Sequence, residues 1–238
     1  MDRVSAEGEA RRLTTGGDAV FLGWGQGGET VRFGHTAERN GAGQVPVWEV
    51  PLAGGKAVRL AEQTSLSMGE SPRSPDGRWE ARVGSDGVSV RLSGEVEERR
   101  LSPQAGAAPV WSPDGTYLAF VGWDDPLAPC LRVWAAAEGR DRCLFPAEQG
   151  YLSRPDWSPE GESLVVSLVP AGSETAYLAE IWLVPVGGGA PARLTWDEEE
   201  QSEPRWSPEG KWLLFRREGD LWVMPVPGAL EPPMSAAV

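Results

Sequence analysis

Apolar residues along the chain fall in short runs separated by turn-forming residues, and no stretch repeats them at the three-to-four-residue spacing of an amphipathic helix. Tyr117-Leu118-Ala119-Phe120-Val121, Ser163-Leu164-Val165-Val166 and Trp212-Leu213-Leu214-Phe215 are apolar on both faces of an extended chain. Such strands need cover on two sides. Each is followed by a second run of the type Ile181-Trp182-Leu183-Val184 or Leu221-Trp222-Val223-Met224; Ile181–Val186 leads into Ala192-Arg193-Leu194-Thr195, and the similar run Val47-Trp48-Glu49-Val50-Pro51-Leu52 into Val58-Arg59-Leu60. The pattern predicts short strands joined by tight turns, and no helix longer than a turn.

The breaks themselves repeat. Trp111-Ser112-Pro113-Asp114-Gly115, Trp157-Ser158-Pro159-Glu160-Gly161, Trp206-Ser207-Pro208-Glu209-Gly210 and Arg73-Ser74-Pro75-Asp76-Gly77 are copies of one unit. Proline presets φ at the first corner of a turn, Ser and Asp or Glu bond nearby backbone, and Gly takes the positive φ that closes the hairpin. Trp24-Gly25-Gln26-Gly27-Gly28 aligns as a disguised fifth copy, so the corner position is Gly25, Ser74, Ser112, Ser158 and Ser207, at steps of 49, 38, 46 and 49 residues. That period is the one expected of propellers.

Each unit then has an inner strand ending at the Trp, the corner, a second strand, a third strand and a fourth of Arg-Leu-Thr type. The expected fold is an all-β, five-bladed β-propeller of four-stranded antiparallel blades. The blades span about 19–60, 69–101, 107–145, 153–195 and 202–226, within one domain over residues 1–227. The last unit lacks a fourth strand, and Arg11-Arg12-Leu13-Thr14 is expected to supply it, closing the last blade and removing a free sheet edge. Residues 228–238, rich in Pro and Ala, are expected to form a loose tail.

Composition fits many strands joined by turns, with 30 Gly, 21 Pro and 12 Trp in 238 residues. A net charge of −13 opposes a nucleic-acid binder, which needs clustered Lys and Arg to displace counterions. The same charge favours a basic partner. No apolar run has the length of a membrane helix, and Met1 to Arg12 lacks the apolar core of a signal peptide. As written the chain reads as cytoplasmic and monomeric, a trimmed periplasmic form being the alternative. Cys130 and Cys143 fall on consecutive strands of one hairpin. A cross-strand bridge is the alternative there, two buried free thiols being the commoner arrangement and the one expected.

The pattern Trp-Ser-Pro-Asp/Glu-Gly, an apolar strand, Ile-Trp-x-Val and then Arg-Leu-Thr resembles the TolB-type β-propeller repeat (WD40-like, also called PD40) over Arg11 to Val226. The resemblance implies a non-enzymatic propeller that binds proteins, as TolB binds an outer-membrane-associated lipoprotein in the cell envelope. This chain departs from it in having five recognisable repeats where TolB has six, and no N-terminal domain ahead of them. Arg73 replaces the motif Trp, and Pro72 stands one residue nearer its corner than Pro109, Pro155 and Pro204 do. The same repeat caps prolyl-oligopeptidase-like peptidases, so an accessory propeller separated from a larger peptidase-like chain is a further expectation.

Candidate chemistry is sparse. Gly23-Trp24-Gly25-Gln26-Gly27-Gly28 matches a dinucleotide-binding pattern, yet no helical pattern follows it and it aligns with four hairpin corners. His35 is the only histidine, which excludes paired-histidine catalysis and His-rich metal sites, and it reads as a surface loop residue. Five-bladed propellers can host carbohydrate-active hydrolases with carboxylates in the central channel, which is the alternative to binding. No cofactor is expected; a surface or channel cation such as calcium near the acids is the weak alternative, since they lack EF-hand-like spacing.

Ten of the twelve tryptophans occupy repeat positions; Trp123 and Trp196 do not. Trp123 with Asp124 and Asp125 is expected in a loop between second and third strands, and Trp196 with Asp197 and Glu198 in a loop between blades. Both loop types project from one face of a propeller. Aromatic residues beside acids there point to a protein interface with a basic partner, with Tyr151, His35 and Arg39 on the same face.

Overall fold

The computed structural model describes residues 10–65, 73–84, 87–103, 109–125, 128–147, 150–171, 179–196 and 199–226. Apart from two 3-10 turns, Gln26–Gly28 and Thr36–Glu38, the regular structure among them is strand. In chain order the strands are β1 (Arg11–Arg12), β2 (Ala19–Trp24), β3 (Thr30–His35), β4 (Gln44–Pro51), β5 (Val58–Ser65), β6 (Trp79–Gly84), β7 (Gly87–Leu92), β8 (Arg99–Ser102), β9 (Val110–Trp111) and β10 (Tyr117–Asp125). They continue as β11 (Ala128–Ala135), β12 (Arg140–Pro146), β13 (Tyr151–Leu152), β14 (Asp156–Trp157), β15 (Ser163–Val169), β16 (Glu180–Pro185), β17 (Ala192–Arg193), β18 (Gln201–Trp206), β19 (Trp212–Arg217) and β20 (Asp220–Pro225).

The chain divides into two compact units, residues 1–66 with 205–238, and residues 67–204. In the first unit β2-β3-β4-β5 form one antiparallel sheet, and β1-β20-β19 form most of a second that β18 completes. In the second unit the sheets are β6-β7-β8, β12-β11-β10-β9 and β13-β15-β16-β17. The inner strand of the last is split, because β13 and β14 both pair with β15. The stretch expected to open the second blade, 69–72, and the tail 228–238 lie outside the described residues.

One hydrogen-bond pattern recurs at all five corners. The corner residue's N–H donates to the carbonyl five residues on at 2.8–2.9 Å, and the N–H three residues on returns to the corner carbonyl at 2.8–3.1 Å. Gly77, Gly115, Gly161 and Gly210 then take φ of 70–74°, which a side chain would disfavour. At four corners the buried Ser hydroxyl also accepts the N–H of residue +5, at 2.9–3.1 Å. Gly25 keeps the backbone pattern without the hydroxyl. A Cβ on it would lie 1.8 Å from Thr30 Oγ1, so at this corner the residue five positions on fills the volume that serine fills elsewhere.

The Arg-Leu-Thr segments are clamps. Leu194 N–H donates to Ile181 O, Thr195 Oγ1 accepts Ile181 N–H at 3.0 Å, and Arg193 pairs with Glu180 at 2.8 Å. The N-terminal segment repeats this on the last sheet. β1 pairs with β20, Leu13 N–H donates to Leu221 O, Thr14 Oγ1 accepts Leu221 N–H at 2.9 Å, and Arg12 pairs with Asp220. Asp220 is 1% exposed and also accepts Thr14 Oγ1–H at 3.0 Å and Gly17 N–H at 3.2 Å.

Cys130 and Cys143 form a disulfide, correcting the expectation of free thiols. A bulge between Leu131 and Arg132 sets Cys143 opposite Arg132, and the two Cα atoms lie 5.8 Å apart, within bridging distance.

Each unit has its own apolar core. In the first, Val31, Phe33 and Val50 pack on Leu214, Leu221 and Val223. In the second, Ala119, Val121 and Leu131 meet Leu164, Val166 and Leu168, while Ala81 and Val90 meet Leu118, Phe120 and Trp134. Burying each such large side chain contributes about 1.5–3 kcal/mol. The sheet β6-β7-β8 breaks the pattern on its other face. Glu80 stands where the other second strands carry Val31, Leu118, Leu164 and Leu213, and it holds Arg73 at 3.0 Å and Arg91 at 2.9 Å. Arg73 therefore replaces the motif Trp together with its packing partner.

Candidate interaction surface

Trp123 is not in a loop. β10 runs through it to Asp125, with Pro129 opposite Trp123, and its half-buried indole packs on the Ala119–Leu164 core. The strand is longer than its apolar run because the pairing with β11 continues past Gly122, so the neighbouring Asp124 and Asp125 are strand residues as well. Asp197 and Glu198 lie outside the described residues. His35 is the last residue of β3 rather than a loop residue. Its Nδ1 lies 2.6 Å from Asp18, and its ring stands edge-on to Phe33. The Ala37 N–H and then His35 hold the Asp18 carboxyl below its ordinary value. Arg39 caps the 3-10 turn that follows, its N–H donating to Thr36 O. His35 and Arg39 thus belong to the first unit, and Trp123, Tyr151 and Trp196 to the second.

Within the second unit, pairing places Tyr151 and Trp196 at the same end of one sheet. Tyr151 lies opposite Val169, Leu168 opposite Glu180, and Thr195 is bonded to Ile181. Both aromatics are open to solvent, Tyr151 at 62% and Trp196 at 51%. Trp123 reaches the corresponding end of the adjoining sheet, where Ala147 N–H donates to Pro129 O and Gly150 N–H to Ala147 O. Gly150 packs too closely for a side chain, since a Cβ would stand 2.4 Å from Val169 O and 3.0 Å from Leu168. That close approach fixes the start of β13 and hence Tyr151.

Beside these residues lies an apolar groove of about 500 Å³, formed where the end of β12 faces β15 and β16. Phe145, Pro146 and Ala147 line one side, Leu168 and Trp182 the other, and Pro191 borders it. Phe145 and Trp182 have ring centroids 5.1 Å apart. Trp182 Nε1–H donates to Glu180 at 3.1 Å, Glu180 pairs with Arg193 at 2.8 Å, and the Arg193 guanidinium lies over the Trp196 ring at 5.9 Å. A continuous chain of contacts therefore runs from the groove wall to the exposed indole, orienting Trp196 by a cation–π contact. The groove escaped the sequence because its residues come from three strands and the segments that follow or precede them, far apart along the chain. Trp182 read as packing, and its Nε1–Glu180 bond has no sequence signature.

No cluster of acidic, histidine or cysteine side chains able to hold a metal is found among the described residues. No helix among them is long and apolar enough to cross a membrane. The Gly25–Gly28 stretch is a hairpin turn, with the Glu209 carboxylate within 1.9 Å of where a Gly28 Cβ would stand. A side chain there would displace the Glu209 carboxylate and is disfavoured by the φ of 71° at Gly28.

Comparison with known proteins places the fold. No protein-family model matches the chain. It is 30% identical over 139 residues to the uncharacterized peptidase YuxL of Bacillus subtilis, a match covering 45% of this chain and 21% of the peptidase. It is 34% identical over 61 residues to the Tol-Pal system protein TolB of Alcanivorax borkumensis, covering 26% of this chain and 14% of TolB. Both matches thus span well under two thirds of these relatives' own length. Among solved structures, a TolB-type protein of Agrobacterium tumefaciens superposes with a TM-score of 0.50 at 20% identity, covering 83% of this chain and 70% of that one. An oligogalacturonate lyase of Vibrio parahaemolyticus also gives 0.50, at 17% identity, covering 98% and 72%. The chain is an all-β protein built on the β-propeller plan. More particularly, its fold is TolB-like.

Proposed function

We propose that the chain is a non-enzymatic, five-bladed propeller scaffold that binds a protein partner at the end of its second unit marked by Tyr151 and Trp196. The observation that carries this reading is the contact chain Trp182–Glu180–Arg193–Trp196 beside a groove of about 500 Å³. Exposed aromatics next to a shaped apolar recess are favoured anchors in protein interfaces. An apolar segment of the partner fills the groove while Tyr151 and Trp196 flank it. The run Asp197-Glu198-Glu199-Glu200 after Trp196, together with the net charge of −13, favours basic residues beside that segment. The Cys130–Cys143 bond supports an oxidising, extracytoplasmic setting over a cytoplasmic one.

The test is partner recovery from the native host with wild type and with Tyr151→Ala/Trp196→Ala. Both side chains are exposed, so the variant keeps its fold, and loss of the same protein from the eluate is expected. Unchanged recovery would remove the reading. A second reading, an accessory propeller serving a separate peptidase, is favoured by the match to the Bacillus peptidase. Under it the recovered protein is an α/β-hydrolase, whose peptidase activity changes on addition of this chain.

A further inference from the structure

The disulfide occupies a repeat position. In β16 the third strand opens on Glu180, two residues before Trp182, which lies opposite Arg193 of the outer strand. In β20 it opens on Asp220, two before Trp222, which lies opposite Arg12. In β11 the same positions hold Cys130 and Arg132, and Arg132 lies opposite Cys143. The second strands confirm the alignment, because Val166, Phe215 and Phe120, each eight residues past its corner serine, face Trp182, Trp222 and Arg132. Cys130 therefore stands where two of the other four sheets place a carboxylate, and Cys143 where they place its arginine; the sheets of β4 and β7 keep the arginine, as Arg59 and Arg100, but have Pro46 and Gly87 at the carboxylate position. Burial agrees as well. The carboxylate partners are 17% and 1% exposed against 5% for Cys130, and their arginines, like Cys143, are more open to solvent than the acids they bond.

We propose that the Cys130–Cys143 bond replaces the arginine–carboxylate clamp that pins the outer strand in the sheets of β16 and β20, and that it makes the docking of β12 dependent on thiol redox state. An ion pair holds its strand whatever the reducing power of the surroundings; a disulfide does not. A dithiol reductant attacks the exposed Cys143 sulfur, forming a mixed disulfide and releasing Cys130 as a thiolate that takes up a proton. Its second thiol then displaces Cys143, so that two electrons and two protons pass to the protein and the reductant leaves as its own disulfide. β12 is then held by its backbone ladder, by Phe145, by the Arg132–Asp141 ion pair at 2.6 Å and by Arg142 on Val186 O, with no covalent tie left at Cys143. Leu144, Phe145 and Pro146 follow Cys143 directly and line the apolar groove, so one groove wall loosens with the strand. The inference about β12 stands whether or not the groove binds a partner.

Amide hydrogen exchange on the full chain, read by mass spectrometry with and without dithiothreitol, tests this in wild type, Cys130→Ser/Cys143→Ser and Cys130→Glu/Cys143→Arg. Reduction is expected to speed exchange of residues 140–146 in wild type by about 10- to 100-fold, leaving β15 and β19 unchanged. The serine pair should exchange at the fast rate in either condition. The Glu/Arg pair should exchange at the slow rate in either condition, because it supplies the clamp of the β16 and β20 sheets. Should the serine pair fail to fold, the wild-type arm and the Glu/Arg variant still decide. Three results would each overturn the proposal: no thiols trapped by alkylation of the folded, reduced protein, thiols trapped without faster exchange, or a Glu/Arg variant exchanging like reduced wild type.

Discussion

Replacing Asp220 by alanine removes the acceptor on which the N-terminal segment converges. The carboxylate is 1% exposed and takes Arg12, the Thr14 hydroxyl and the Gly17 N–H. A hydrogen bond to a charged group is worth about 1.5–3 kcal/mol and a neutral one about 1 kcal/mol. Arg12 is 45% exposed and regains water when unpaired, so its share falls toward the low end. Thr14 keeps its bond from Leu221 N–H, which limits the loss further. The expected destabilisation is about 2–4 kcal/mol, or about 4–16 °C in melting temperature for a chain of this size. Urea unfolding with exchange at Leu13 and Leu221 measures it, and these two amides should lose protection first. Glu180→Ala, in the corresponding clamp of the second unit, should cost less because Glu180 is 17% exposed. An Asp220→Ala variant within about 0.5 kcal/mol of wild type, or one whose loss is spread evenly over both units, would show that the clamp does not hold the N-terminal strand.

Three further outcomes follow from the corners. Ser207→Ala removes the buried hydroxyl that accepts the part-buried Trp212 N–H and should destabilise by about 1–2 kcal/mol in urea unfolding, with Ser112→Ala similar. Gly25→Ser should be damaging alone, because its Cβ meets Thr30 Oγ1 at 1.8 Å, yet tolerated with Thr30→Ala, so a double-mutant cycle should show coupling above about 1 kcal/mol. The Ser74 and Ser112 hydroxyls, and behind them the Arg78 and Thr116 N–H groups, hold Asp76 and Asp114 below their ordinary values. A lowered folded value stabilises above the ordinary carboxylate range and is lost as pH falls through that folded value. Asp76→Asn/Asp114→Asn should therefore flatten the acid limb of the stability profile below about pH 4, measured by thermal melts across pH.

Much of the fold was legible because its signals are local. Trp-Ser-Pro-Asp-Gly encodes a turn within five residues, so the corners could be counted. Gly25 was recoverable despite sharing only Trp24 and Gly28 with the motif, and its backbone bonds match the other four. The role of Arg11–Thr14 was readable because the last unit lacked its own Arg-Leu-Thr segment. What depended on register was not legible. A bulge after Leu131 brings Cys143 within reach of Cys130, and no residue pattern announces it. Trp123 looked like a loop residue because Asp124 and Asp125 follow it, but ladder pairing carries β10 through all three. The site was half legible: Trp196 stood out as a tryptophan outside the repeat, whereas its link to Trp182 runs through two charged side chains on different strands. His35 was placed by Asp18, a residue with no motif around it.

The most direct test of the binding surface is site-specific photocrosslinking in the native host, with a photoreactive residue at position 151, at position 196, and at exposed corner position 160 as control. The expected result is one and the same protein attached at 151 and at 196 and absent at 160. Different adducts at 151 and 196, or equal labelling at 160, would contradict a partner seated on Tyr151 and Trp196.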